Sequence, residues 1–129
     1  MTSPNRITGR AVVEFVAMRF DVSLNDLIGP RRNRKPTRAR QFAMFAMKTL
    51  CPHLSYPAIG RVLGGRDHTT ILHGCRKIEE LIAAGEFADD VRRLSEWFDR
   101  ESLAAQIVDA EQRLESLRTI QKHLTLVSA

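Results

Sequence analysis

A chain of 129 residues, 43% apolar and 27% charged, is long enough to bury one hydrophobic core and short for two. It holds no run of about 18 apolar residues to span a bilayer. The opening Met1-Thr2-Ser3-Pro4-Asn5-Arg6 lacks the apolar stretch of a secretory signal, so the expected location is the cytoplasm.

The elements expected in chain order are all helical. Val12, Val13, Val16, Ala17 and Phe20 recur at helical spacing after Thr8, a capping residue, which predicts a first helix over 9–20. Ser23-Leu24-Asn25-Asp26 reads as a capping box opening one short turn that Gly29-Pro30 ends. Residues 30–36 form a basic loop. Thr37 is expected to cap a third helix that buries Phe42, Ala43, Phe45, Ala46, Thr49 and Leu50 and stops at Pro52. Arg38, Arg40, Gln41 and Lys48 of that helix are left for solvent or phosphate. Ser55 caps the next helix, with Pro57 in its first turn and Ile59, Val62 and Leu63 apolar. Gly64-Gly65 is a turn. A longer helix then starts at Asp67, held to the core by Ile71, Leu72, Cys75, Ile78, Leu81 and Ile82 and closed by Gly85. Phe87, Val91, Leu94, Trp97 and Phe98 mark a further amphipathic helix. No stretch alternates with period two for long enough to be a strand.

Charge is segregated along this order. The formal net charge is +5, yet between Asp26 and Asp67 there is no acid, while Arg31, Arg32, Arg34, Lys35, Arg38, Arg40, Lys48, Arg61 and Arg66 supply nine positive charges. Elsewhere eleven bases face fifteen acids. One strongly positive face on a mildly acidic body is the electrostatic footprint of a nucleic-acid binder. Cys51 and Cys75 form no Cys-x-x-Cys pair and both fall on apolar helical faces, so they read as buried, reduced thiols.

Residues 64–73, Gly-Gly-Arg-Asp-His-Thr-Thr-Ile-Leu-His, carry the functional signal. A glycine turn is followed at once by a helix whose first residues are short and polar. The second helix of a helix-turn-helix enters the major groove N-terminus first, so its opening side chains must offer donors, acceptors and a methyl group to base edges. Asp67, His68, Thr69 and Thr70 supply all three. Asp67 has two compatible roles, helix cap and acceptor from a cytosine amino group. Thr69 and Thr70 join a hydroxyl to a methyl that suits thymine. His68 and His73 lie five apart, off a common face, with no cysteine or carboxylate placed to complete a tetrahedral set; no metal and no cofactor are expected.

The string from Tyr56-Pro57-Ala58-Ile59-Gly60 through Gly65-Arg66-Asp67-His68-Thr69-Thr70-Ile71-Leu72-His73 to Cys75-Arg76-Lys77-Ile78 closely resembles the signature of the C-terminal DNA-binding domain (domain IV) of the bacterial replication initiator DnaA. The resemblance begins near Arg10, runs through Arg31-Arg32-Asn33-Arg34-Lys35 and Arg38-Ala39-Arg40-Gln41-Phe42-Ala43-Met44, and reaches about Trp97, with Pro30 and Pro36 as departures beside the basic loop. It implies that Asp67, His68, Thr69 and Thr70 read the major groove with Pro57 at its edge, and that Arg32 enters the adjacent minor groove. Arg40, Gln41, Lys48 and His73 match positions that grip phosphates, and Arg31, Arg34, Lys35 and Arg66 join that set. The implied partner is double-stranded DNA, at a short asymmetric site of the kind called a DnaA box.

No Gly-x-x-x-x-Gly-Lys-Ser/Thr phosphate loop is present, and no nucleophile lies in a glycine elbow, so an enzyme is not expected. The expectation is a stand-alone, nucleoid-associated protein with an all-α fold. Residues 7–98 form the helix-turn-helix domain and 99–129 a helical extension. It would regulate replication initiation or transcription, in bacterium or phage, by competing with the full initiator. In the extension Leu103, Ile107, Ala110, Leu114, Leu117, Gln121 and Leu124 recur at steps of four and three, a heptad seam with one polar member. Such a seam can pair with a second chain, making a homodimer, or fold back on its own domain; parallel pairing would set Arg113 near Arg118 of the second copy. The alternative reading is an adaptor that holds another protein through 99–129 and is tethered by its DNA domain.

Overall fold

The computed structural model describes residues 7–29 and 36–128. Six helices account for them: α1 (Gly9–Arg19), α2 (Leu24–Ile28), α3 (Thr37–Leu50), α4 (Tyr56–Val62), α5 (His68–Ala83) and α6 (Ala88–Ser128). There is no strand among the described residues, and the fold is all-α. The chain divides into two compact units, Ile7–Phe98 and a second that takes in the residues from Asp99 onward.

Helix starts follow local side-chain chemistry at four places. The Thr8 side chain accepts from the Ala11 backbone N–H at 3.1 Å. Ser23 and Asp26 form a reciprocal capping box at 2.9 and 3.2 Å, and Ser55 accepts from Ala58 N–H at 3.2 Å. Asp67 accepts from Thr69 N–H at 3.4 Å. Each satisfies a donor that the first helical turn leaves without an intrahelical partner. The third helix departs from expectation. Thr37 is its first helical residue rather than its cap; Pro36 holds the cap position and makes no side-chain cap bond. That helix is seeded by burial instead, since Pro36, Ala39 and Arg40 are already inside within its first turn.

Helix ends repeat one device. Val22 N–H donates to Ala17 O at 3.0 Å, Gly65 N–H to Gly60 O at 2.9 Å, and Glu86 N–H to Leu81 O at 2.9 Å. In each case the preceding residue has positive φ: Asp21 at 53°, Gly64 at 87° and Gly85 at 94°. These are Schellman stops, which satisfy orphan carbonyls and turn the chain sharply.

The core of the first unit is built around α3. Phe42, Ala43, Ala46 and Met47 are fully buried and meet Val12, Val13 and Val16 of α1, Leu27 of α2, Ile59 of α4 and Ile71, Cys75 and Ile78 of α5. Helices α3 and α5 approach closely because Gly74 has no side chain; a Cβ there would stand 2.3 Å from the Met44 sulfur. Phe42 lies 5.1 Å from Phe20 and 5.6 Å from Phe87, and Phe15 stacks on Trp97 at 4.9 Å. Two sequence expectations are corrected by this packing. Thr49 is exposed, its hydroxyl donating back to Phe45 O at 2.9 Å rather than entering the core. Phe87 precedes α6 with φ 63° and reaches the core from the connection, not from the helix.

The start of α6 is clasped to the end of α1. Arg19 donates to Asp89 at 2.7 Å and to Asp90 at 2.9 Å, and Arg92 also engages Asp89. From Asp99 onward α6 presents its apolar side chains, Leu103 to Val127, to solvent.

Candidate nucleic-acid interface

The α4–turn–α5 corner sets the site. Gly64 is required at the turn: its φ is 87°, and a Cβ would stand 1.9 Å from the carbonyl oxygen of Ile28. Gly60 is equally constrained by space, because its carbonyl accepts from both Gly65 and Arg66, and a Cβ would stand 2.1 Å from Arg66 O. The chain is therefore folded tightly back before Asp67, and α5 begins at a fixed point.

Asp67, His68, Thr69 and Thr70 are all exposed at that tip, while Ile71, directly behind them, is fully buried. Polar residues lead and an apolar anchor follows, which is the division of labour a groove-reading helix needs. The His68 Nδ1 stands 3.0 Å from an Asp67 carboxylate oxygen. That contact leaves Nε2 at the far side of the ring for an outside partner. Pro57, in the first turn of α4, is exposed as well.

The cationic residues fall into three groups. Arg31, Arg32, Arg34 and Lys35 lie outside the described residues. A second group lies on α3 and α5: Gln41 is half-buried and His73 exposed, and together with Thr37, Arg38 and Lys77 they line a shallow cleft between the two helices. Arg38 donates to the Gln41 side-chain oxygen at 2.8 Å, which orients the Gln41 amide and leaves its NH₂ free to donate outward. Lys77 was not singled out by sequence reasoning. It sits one helical turn beyond His73, and i,i+4 spacing on a helix already suspected of contacting DNA was the available signal. Lys48 is exposed but paired with Glu79 at 2.7 Å, and that hydrogen bond raises its pKa above the ordinary lysine value against a smaller opposing effect of burial.

Arg40 and Arg66 form the third group and overturn an expectation. Arg40 is only 6% exposed, not left for solvent. Its guanidinium donates to Asp26 O at 2.8 Å and Leu27 O at 3.3 Å, and Arg66 donates to Gly29 O at 2.9 Å. Burial pulls both below the ordinary arginine value; for Arg40 the like charge of Arg66 adds to this and Asp26 opposes it. The carbonyls at the end of α2 have no intrahelical donors, and a planar, permanently charged fork suits them. Spent on these carbonyls, the Arg40 guanidinium is removed from the phosphate-gripping set. Both arginines hold the backbone of Asp26–Gly29.

A helical core built around α3, a glycine-stopped corner and an exposed polar helix tip, with cations on the faces of α3 and α5, define the class: a helix-turn-helix DNA-binding protein. Residues 10–78 match the family described as the bacterial dnaA protein helix-turn-helix, and the chain belongs to that family. It is 48% identical over 93 residues to the chromosomal replication initiator protein DnaA of Cereibacter sphaeroides, covering 71% of this chain and 20% of that one. It is 49% identical over 81 residues to the DnaA of Rhizobium meliloti, covering 63% and 17%. The chain thus spans about a fifth of the length of the curated relatives it matches. Among solved structures it is similar to a crystal structure of a DNA replication initiation factor, with TM-score 0.52 and 27% identity over 79% of this chain and 29% of that one. Among the described residues no helix is long and apolar enough to cross a membrane.

Proposed function

We propose that this chain binds double-stranded DNA at short asymmetric sites of the DnaA-box kind, as a cytoplasmic, nucleoid-associated regulator of replication initiation or transcription, and that it hydrolyses no nucleotide. Residues 7–98 form the DNA-binding domain and 99–129 a separate helical extension. The observation that carries the reading is the tip of α5: four polar side chains exposed together, on a helix whose start is pinned by Gly60, Gly64 and the Asp67 cap.

In this reading Thr69 and Thr70 meet thymine methyl groups, His68 donates or accepts at a base edge, Asp67 accepts from a cytosine amino group, and Pro57 packs at the groove edge. Arg32 enters the minor groove, where a narrow A·T-rich stretch concentrates negative potential. Gln41, Lys48, His73, Arg31, Arg34 and Lys35 hold phosphates, which sets register without reading sequence. Arg38 and Lys77 join that set, and Arg40 and Arg66 leave it to hold the carbonyls of Asp26, Leu27 and Gly29.

Residues 1–129 hold no Gly-x-x-x-x-Gly-Lys-Ser/Thr phosphate loop, and in this reading they occupy such sites in competition with the full initiator. The test is competition binding on a consensus box duplex against the initiator of the same cell, with a scrambled duplex as control. Displacement on the box alone is expected. Equal, salt-sensitive binding to both duplexes would sink the reading.

A further inference from the structure

We propose that residues 99–129 pair with the same segment of a second copy in antiparallel orientation, so that one dimer carries two DNA-binding units at opposite ends of the paired helices and bridges two duplex segments. The bridging part rests on the DNA-binding reading above; the pairing does not.

Among the described residues the seam is largely exposed. Ile107, Leu114, Leu117 and Leu124 are 48–63% exposed, yet they repeat at heptad spacing on one face of α6, with no proline or glycine to break it. Burying such a stripe against an equal one is what a two-stranded coiled coil does.

Charge then selects the direction. In parallel pairing Gln121 would face Gln121, and Arg113 would lie beside Arg118 of the second copy, a repulsion repeated on both sides. In the antiparallel arrangement centred between Glu115 and Ser116, Leu114 faces Leu117 of the second copy and Ile107 faces Leu124. Gln121 falls opposite the small Ala110, where its amide can reach the edge of the seam. The flanking positions then bring Glu111 beside Arg118 of the second copy, twice per dimer. Moving the register by one heptad either way sets Glu111 against Glu111 or Arg118 against Arg118, so one register is favoured. Within its own helix Arg118 has only Glu115, at 3.9 Å, so the new partner displaces nothing strong.

The functional consequence is geometric. Antiparallel pairing separates the two Asp99 residues by roughly 50 Å along the coil at 1.5 Å per residue. Dimeric helix-turn-helix proteins that read one palindrome bring their reading helices about 34 Å apart on one duplex face. Units leaving from opposite ends of a coil instead suit two independent asymmetric sites, and holding one site raises the local concentration of the second unit near another.

The experiment uses the full-length chain in two measurements. Sedimentation equilibrium without DNA is expected to give a dimer of the 14.6 kDa chain that weakens about tenfold in Arg118→Glu, recovers in Glu111→Arg/Arg118→Glu, and dissociates in Leu117→Glu. All three positions are exposed in the single chain, so the unit Ile7–Phe98 keeps its fold, checked by its melting transition. Tighter association of Arg118→Glu would mean parallel pairing and overturn the proposal, as would a monomer at all concentrations, whether the seam folds back on its own chain or holds a different protein. In the second measurement, a biotinylated box duplex is expected to capture a fluorescent one through the wild-type chain and not through Leu117→Glu. A dimer that binds each duplex singly but never captures the second overturns bridging. A dimer that binds no duplex at all overturns the DNA reading and leaves the pairing standing.

Discussion

At Thr69 the methyl and hydroxyl sit together on an exposed first turn, and removing them tests base reading directly. Thr69→Ala is expected to lose roughly 1–3 kcal/mol on a box duplex and little on a scrambled one, measured by fluorescence anisotropy. Lys48→Ala is expected to weaken both duplexes alike and to flatten the slope of log affinity against log salt by about one unit. Arg40 behaves differently. Arg40→Met leaves the Asp26 and Leu27 carbonyls without their donors, so its main effect is on the fold, about 2–3 kcal/mol in denaturant titration, with the salt slope on DNA unchanged. The exposure of the tip residues was legible in the sequence because it follows from a short local pattern of polar residues after a glycine turn. Arg40 was not, because the carbonyls it serves lie 13 and 14 positions earlier in the chain. A lone arginine on a helix gives no local sign that it faces inward.

The helix boundaries show where local chemistry governs and where it does not. Thr8, Ser23, Ser55 and Asp67 cap the helices they precede because a short oxygen beside a free backbone N–H is a contact between near neighbours. Thr37 has the same chemistry but is overruled by Pro36, which is buried and already in helical backbone conformation at ψ 0°. Phe87 likewise answers to the aromatic cluster with Phe20 and Phe42 rather than to helical spacing. The turn before α5 admits the sharpest test at this scale. Gly64→Ala combines a positive φ with a Cβ 1.9 Å from Ile28 O, and is expected to cost at least about 2 kcal/mol of stability. Because it displaces the start of α5, it should also reduce sequence preference in the fraction that stays folded, read by melting and by box-versus-scrambled affinity.

For the molecule as a whole, two sets of titratable groups report on folding. Cys51 and Cys75 are buried, and desolvation pushes both thiols up to about 11. A thiol reagent at neutral pH is therefore expected to label neither until denaturant opens the core, at which point both react. The clasp between α1 and α6 weakens in acid. Hydrogen bonds from Arg92 and then Arg19 hold the Asp89 carboxyl below its ordinary value of 3.8. A group with a depressed folded-state pKa contributes stability that is complete above its unfolded value and is lost as pH falls through the folded one. Thermal melts should thus show the Arg19→Ala variant differing from wild type at neutral pH and converging with it under acid, with the difference reduced by salt. The charge segregation visible along the sequence is an acid-free stretch between Asp26 and Asp67. What the order of residues could not show is that two of its nine cations, Arg40 and Arg66, donate to backbone carbonyls of the protein itself.

One pair has a further effect on timing. Glu79 rests on Lys48 where, in the proposed complex, a phosphate would lie, so the protein carries its own stand-in for the nucleic acid. On that proposal an arriving phosphate would have to displace the carboxylate, and its return would favour departure. In that proposed complex such a tenant would shorten residence on any duplex, wrong ones included. Glu79→Gln should therefore slow release from all DNA, a change visible in dissociation traces even where equilibrium preference for the box is kept.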